Sequence, residues 1–560
     1  MAGRITQQHL LKYFVMLFAG MVIGGSENEN PCVIPEPFPP DMQYIPMPET
    51  KDRNFVSIGI MNITRASFIY PLDPVRQIRK LTGRYYPAMN INAFGEVPNS
   101  SWYVNRKTGG TMSLDEIVRG PNTTGGPDMS NRWLIFRAKD VGKSAGFHIK
   151  DVRGDRYVIK LDPPGYPELT SGAEMISTKI LYAAGYRVPE NYIVYFDPRR
   201  IDIDSGVTII DEQGRTREMS RYHLEKILAV VERTEEGLVR GLASKYITGE
   251  PLSAWRFRGT RKDDPNDFIP HQHRRELRAL YVIGSWINHY DLTVANTFDT
   301  YITQNGKGYV LHYLLDFGGT LGASSQGPMS RIHGHEYYFD IPIIALRFIT
   351  LGLYTPLYDR WDTIPLPSVG AWEARTLRPH RFRYLLPNKA FANMSPQDGF
   401  WAARTVMSFT DQQIDAIVGT AQYSNPDAAR YIADILKKRR DKIGREFYEE
   451  VNPLDKFRIE EPAQGAYHLC FEDLAVKAGF TDKRATQYRY RIKPVSGPSR
   501  KSEWQLAEKP CLPVQAATEK SMCEAVHIIT IRDGEKSGEE IKVYVNKETH
   551  APPVLTGVER

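Results

Sequence analysis

Between Trp133 and Phe196 the apolar period switches from two to nearly four and back, and this alternation constrains the fold more than any other feature. WLIFRAKD, from Trp133, predicts a strand. A loop of small residues comes next, Val141-Gly142-Lys143-Ser144-Ala145-Gly146. FHIKDV predicts a second strand, Arg153-Gly154-Asp155 a turn and RYVIKLD a third strand. Past Pro163-Pro164-Gly165, apolar residues fall at Ala173, Ile176, Ile180 and Ala184, which predicts a helix from about 168 to 184. VPENYIVYF is then a further strand. Three strands, a helix and a strand in quick succession call for a sheet with a helix laid against it.

The chain is 560 residues long, enough for three or four domains, or two large ones with insertions. Hydrophobic residues at 41% and charged residues at 25% exclude a disordered or fibrous chain. Lys+Arg number 72 against 66 Asp+Glu, and a net charge of +6 over so long a chain argues for no nucleic-acid partner. Arg4 and Lys12 precede the apolar run Tyr13 to Gly25, which is too short to span a bilayer. A positive start, a short apolar middle and a small-residue exit fit a signal peptide over 1–25, hence an exported protein with no integral membrane span in the mature chain. Seven prolines between 31 and 48 read as an extended linker, and 26–130 as an irregular N-terminal extension packed on the region after it. Of the four cysteines, Cys32, Cys470, Cys511 and Cys523, export allows a disulfide such as Cys511–Cys523; free thiols are the equal alternative.

A second helix is expected from about 274 to 290, with Leu277, Leu280, Tyr281, Gly284 and Ile287 on one face. It delivers the chain to His289-Tyr290-Asp291-Leu292-Thr293-Val294-Ala295-Asn296. A hairpin with its turn at Asn305-Gly306 returns the chain to Asp316-Phe317-Gly318-Gly319. Asp291 and Asn296 lie on a tight loop, so both side chains can face one cavity, and the hairpin brings a second carboxylate back beside them. Singly, each of these residues reads as a turn former. In this order, with Lys160 upstream on a strand, they carry more than any one of them does alone.

His289 to Asn296 followed by Asp316-Phe317-Gly318 resembles the protein-kinase pattern H-x-D-L-x-x-x-N and D-F-G. Tyr157-Val158-Ile159-Lys160 resembles the kinase strand V-A-I-K. The chain is therefore similar to the protein kinase-like superfamily, and more to divergent bacterial members, such as the persistence-toxin and spore-coat kinases, than to ordinary eukaryotic ones. The resemblance covers about residues 131–450. It implies an α+β, bilobal fold with a β-rich N-lobe and a helical C-lobe over 131–455, followed by a small β-rich region over 456–560. It implies Asp291 as catalytic base, Asn296 and Asp316 as metal ligands, and Lys160 as the phosphate-binding lysine. Glu174, or its rival Glu168, would position Lys160. The loop from Gly142 to Gly146 would cover the phosphates, although it does not match G-x-G-x-x-G. ATP and Mg²⁺ are the implied cofactors. The acceptor would be a hydroxyl of an unknown protein or small molecule.

Three departures stand out. Tyr290 replaces the usual Arg, so activation through a phosphorylated loop is not expected. No A-P-E follows Asp316-Phe317-Gly318. Residues 200–245 read as an insertion before an adenine-lining segment around Lys245 to Gly249. Two other readings compete: a catalytically inactive pseudokinase that binds a ligand, and a cell-envelope interaction protein that works through its tail and proline-rich segment. His271-Gln272-His273 and His333-Gly334-His335 complete no recognised metal spacing and read as surface or loop histidines. Lys437 to Arg440 reads as a solvated end of a helix spanning about 426–450.

Overall fold

The computed structural model describes residues 40–51, 60–61, 64, 74–106, 112–139, 144–210, 214–305, 307–337, 340–359, 366–386, 388–463, 465–495, 502–507, 509–516, 522–549 and 551–560. The signal-peptide expectation, the proline-rich stretch before residue 40, Cys32 and Gly142 lie outside them. Among the described residues the chain is a mixed α/β structure with a six-stranded sheet and eleven helices.

The first helices are α1 (Pro74–Leu81) and α2 (Leu114–Arg119). Ser113 and Glu116 form a capping box that starts α2 by satisfying two otherwise orphaned backbone donors. The described residues of this N-terminal region are not peripheral: Val97, Trp102, Tyr103 and Ile117 belong to the main hydrophobic core. The Tyr103 ring lies so close to Gly185 that a Cβ there would meet it at 2.1 Å.

The strands then run as β1 (Trp133–Ala138), β2 (Gly146–Lys150) and β3 (Arg156–Lys160). Helix α3 (Leu169–Ala183) leads to β4 (Asn191–Phe196) and β5 (Ile201–Ile203). A ribbon of β6 (Thr208–Ile210) and β7 (Thr216–Glu218), then α4 (Arg221–Leu228), precede β8 (Val239–Lys245). The sheet order is β4-β8-β3-β2-β1-β5, antiparallel except between β1 and β5. This corrects the reading of 200–245 as an insertion: β8 is the strand between β3 and β4, and β5 closes the far edge. Short strands without a clear alternation hid them.

One face of the sheet is dry. Ile135, Phe147, Ile149, Tyr157 and Ile159 are fully buried there, beneath Leu224 and Leu228 of α4. Period-two alternation sends the intervening residues, His148, Val158 and Lys160 among them, to the other face. Helix α3 is buried almost all round, since it packs between the sheet and the helical layer, and Ala173, Ile176, Ile180 and Ala184 join the main core as expected.

After β9 (Glu250–Ser253) comes α5 (Arg275–Trp286), then the hairpin β10 (Thr297–Gln304) and β11 (Lys307–Leu314), with β9 on its edge. Two-residue strands β12 (Ala323–Ser324) and β13 (Gly327–Pro328) lead to helices α6 (Ile341–Ile349), α7 (Lys389–Ala392), α8 (Pro396–Met407), α9 (Asp411–Gly419) and α10 (Pro426–Glu449). Helix α5 is the buried axis of this layer. Its Trp286 donates to the Leu436 carbonyl of α10 at 2.8 Å, and its Arg278 meets Asp398 of α8 at 2.9 Å. Lys437 to Arg440 is mid-helix rather than a solvated end. Arg439 is buried, donates to the Ser285 and Glu373 carbonyls and stacks over Trp372. His271 likewise is no surface histidine: it is buried against Asp267 at 2.7 Å.

The last region is β-rich. Strands β14 (Leu454–Ala463) and β15 (Ala466–Asp473), a short α11 (Leu474–Lys477), β16 (Thr486–Pro494), β17 (Gln505–Ala507) and β18 (Cys511–Val514) come first. Strands β19 (Met522–Arg532), β20 (Glu535–Lys547) and β21 (Val554–Glu559) complete it. The orders β14-β15-β18 and β17-β16-β19-β20-β21 make two sheets that share one apolar cluster. Cys470 and Cys511, paired across β15 and β18, are disulfide-bonded. This replaces the expected Cys511–Cys523 link, because strand pairing, invisible in the spacing, sets Cys511 opposite Cys470. Among the described residues no helix is long and apolar enough to cross a membrane.

Candidate functional site

Lys160 ends β3 on the face of the sheet away from α4. Its Nζ donates to Glu174 Oε1 at 2.6 Å and to Asp316 Oδ1 at 2.9 Å. Three distant stretches of sequence thus meet at one ammonium. Glu174 stands in the first half of α3 and is nearly inaccessible. The Asp316 side chain is 58% exposed and opens to solvent. The rival Glu168 precedes α3 in a left-handed conformation and turns its carboxylate to the Ser424 N–H at 3.0 Å. Glu174 is therefore the partner of Lys160.

The electrostatics arise from this triangle. Burial alone would depress Lys160, but Asp316 and Glu174 outweigh it and hold the ammonium protonated well above its ordinary range. Lys160 in turn holds Asp316 below the usual carboxylate range. Burial pushes the Glu174 carboxyl up, against the pull of Lys160 and of the Phe317 main-chain N–H that donates to it.

The loop after α5 fixes the remaining residues. Asn296 Nδ2 donates to the Asp291 carbonyl at 2.7 Å, which also accepts from the Thr293 N–H at 3.0 Å. The Leu315 N–H donates to the Asn296 carbonyl at 3.0 Å, so Asn296 is tied to the residue just before Asp316. The hairpin therefore does what its position in the sequence requires: it returns the second Asp beside the loop. Asp316 sits at φ 57°, a left-handed conformation that non-glycine residues adopt at a cost of about 1 kcal/mol. It is held there by the Lys160 contact and by Thr320, buried, which donates to the Phe317 carbonyl and meets Ser177 of α3 at 2.7 Å.

These donors suit a hard divalent cation. Asn296 spends its amide nitrogen on Asp291, which leaves Oδ1 as its acceptor atom, and Asp316 keeps a solvent-open carboxylate. Oxygen-only donors of this kind match Mg²⁺ or Mn²⁺ rather than zinc.

Gly146, the described end of the expected phosphate loop, opens β2 opposite Lys160. A Cβ at Gly146 would meet the Ile159 carbonyl at 2.0 Å, so close strand pairing requires glycine there. The expected adenine-lining segment begins at the end of β8, where Tyr246 meets His148 Nδ1 at 2.7 Å.

Two residues near the triangle were given no role from sequence. His289 is buried edge-on to Phe317, and among the described residues neither ring nitrogen has a hydrogen-bond partner. Burial lowers it to about 4, so its ring is neutral. Lys139, just past β1, donates to the Ser144 carbonyl at 2.6 Å. Strand register would have found Lys139, but no single-strand pattern gives register.

No family model matches the chain, and no curated protein does. Among solved structures, the Golgi casein kinase is similar over 76% of this chain and 94% of its own, at 10% identity and a TM-score of 0.29. The same kinase with Mn/ADP bound is similar over 75% of this chain and 94% of its own, at 9% identity and a TM-score of 0.27.

Proposed function

We propose that this chain is an atypical, kinase-like phosphotransferase that moves a phosphoryl group from ATP, with Mg²⁺, to a hydroxyl of a protein or small molecule. The observation that carries the reading is the Lys160 ammonium held between Glu174 at 2.6 Å and Asp316 at 2.9 Å, with Asn296 tied in beside Asp316. In this reading Glu174 aims Lys160 at the phosphates, and Gly146, with Gly142, lets the backbone approach them. Asp291 orients the acceptor hydroxyl and takes its proton. Asn296 and Asp316 hold the cation, which when bound would neutralise charge on the phosphate oxygens.

The protein is proposed to act outside the cytosol. The basic and apolar pattern of residues 1–25 supports this. So does the Cys470–Cys511 bond, since disulfides persist in oxidising compartments. N-terminal sequencing of the mature protein should begin after about Gly24; an intact Met1 on cytosolic protein overturns export.

The test of function is thermal unfolding with ATP and Mg²⁺, beside transfer of labelled phosphate. A ligand at 100 times its Kd stabilises the folded state by about 2.7 kcal/mol. Wild type should show a metal-dependent rise in Tm and transfer phosphate, and Asp316→Ala should lose both. No metal-dependent shift in wild type removes the reading. A shift without transfer, including to the protein itself, makes the cleft a binding module.

A further inference from the structure

We propose that Lys139 is a second cation for the phosphate chain of the nucleotide, in place of the main-chain donors of a G-x-G-x-x-G loop. The inference rests on the phosphotransferase reading and names a ligand contact within the same cleft.

Strand register supplies the first argument. Ala138 pairs with Phe147, so the next step along the ladder sets Lys139 beside Gly146, and Gly146 pairs with Lys160. Residues opposite one another on neighbouring strands share a face of the sheet. Lys139 and Lys160 therefore rise from the same face, two strand spacings or about 10 Å apart at Cα. Between them Gly146 contributes no side chain. A Cβ there would lie 3.3 Å from Lys139 Cδ, so the Lys139 stem passes over Gly146, along the row that leads to Lys160.

Charge supplies the second. Lys160 faces two carboxylates, Glu174 and Asp316, so that triangle carries a net negative charge. That triangle alone repels a polyphosphate; the divalent cation proposed at Asp316 offsets part of this, and a further ammonium adds to it. Lys139 is half-buried, and among the described residues it meets no carboxylate within ion-pair distance. Its Nζ is held by neutral oxygens, the Ser144 carbonyl at 2.6 Å and Ser144 Oγ at 3.0 Å. Burial, and the neighbouring Lys160, lower its pKa against the weaker pull of Asp316 and Glu174. An ammonium kept partly out of water beside another ammonium is stabilised by an arriving anion. Exchanging two neutral acceptors for phosphate oxygens needs only rotation of the side chain.

The experiment is calorimetric titration of the full chain, with Mg²⁺, against ATP, adenosine and inorganic tripolyphosphate. Wild type, Lys139→Met and Lys139→Arg are compared, with the Tm of each free protein as the folding control. A charge-assisted hydrogen bond to phosphate corresponds to about a 10- to 100-fold change in Kd. Lys139→Met should weaken ATP and tripolyphosphate by that factor and leave adenosine unchanged, and Lys139→Arg should retain most of the affinity. Unchanged ATP and tripolyphosphate binding in Lys139→Met overturns the assignment, as does an equal loss for adenosine. If wild type binds tripolyphosphate through Lys139 but no nucleotide, the nucleotide reading fails and the Lys139 site stands. If wild type binds neither, both fall.

Discussion

Glu174 accepts one hydrogen bond from Lys160 Nζ at 2.6 Å and another from the Phe317 main-chain N–H. A single buried carboxylate thus joins the end of β3 to the segment that carries Asp316. Gly318 belongs to the same joint, since a Cβ there would lie 3.3 Å from Glu174 Oε2.

Removing Lys160 leaves Glu174 buried without its cation. Loss of one partner of a buried pair costs about 3–5 kcal/mol. Lys160→Met should therefore destabilise the protein by roughly that amount. The double variant Lys160→Met/Glu174→Gln should lose clearly less than the sum of the two single variants. Urea unfolding of all four proteins measures the difference; strict additivity would mean the pair is uncoupled.

His289 makes stability depend on acidity in a stated direction. Its ordinary value is 6.5, and burial lowers it to about 4, so the unfolded chain takes up a proton that the folded one refuses. The contribution is fully present above about pH 6.5 and is lost as pH falls toward about 4, roughly 3 kcal/mol in all. His333 and His335, each lowered to about 4 by burial, act in the same sense. His289→Leu should flatten, but not abolish, the fall in urea midpoint between pH 7.5 and 4.5. An unchanged slope would show that His289 titrates normally.

The Cys470–Cys511 bond closes 41 residues of the β-rich region. Chain entropy assigns a loop of that length about 4 kcal/mol. Cys470→Ala/Cys511→Ala should lower the stability of this region by up to that amount, with little effect on the proposed nucleotide binding. Peptide mapping without reductant should recover the Cys470–Cys511 pair; recovery of Cys511–Cys523 instead would contradict the strand pairing.

The parts of the site that the sequence disclosed are those whose order along the chain is itself informative. Lys160 at a strand end, Asp291 and Asn296 on one loop and Asp316 after a hairpin could be read because local geometry fixes each. The choice between Glu174 and Glu168 could not, since both lie near the start of one helical pattern; the left-handed backbone at Glu168 and its contact with Ser424 decide it. Arg439 looked solvated because a run of basic residues normally is, yet three helical turns of apolar neighbours carry it inward to the Ser285 and Glu373 carbonyls. Helix α6, for which there is no expectation from the sequence, is apolar, and none of its residues is buried. Strand β8 was absorbed into a supposed insertion because its place between β3 and β4 is a long-range pairing, which no local pattern encodes.

Trp102 lies stacked on His312 at 3.5 Å, edge-on to Trp255 and His271, with Arg274 over its ring. The segment before the first strand of the large sheet is therefore a wedge driven into the rest of the molecule rather than a tether in front of it. A fragment starting at residue 131 would leave a hole where that indole sits and strip the cover from buried charges behind it. Any attempt to isolate the half that carries Lys160 and Asp316 must carry Trp102 along.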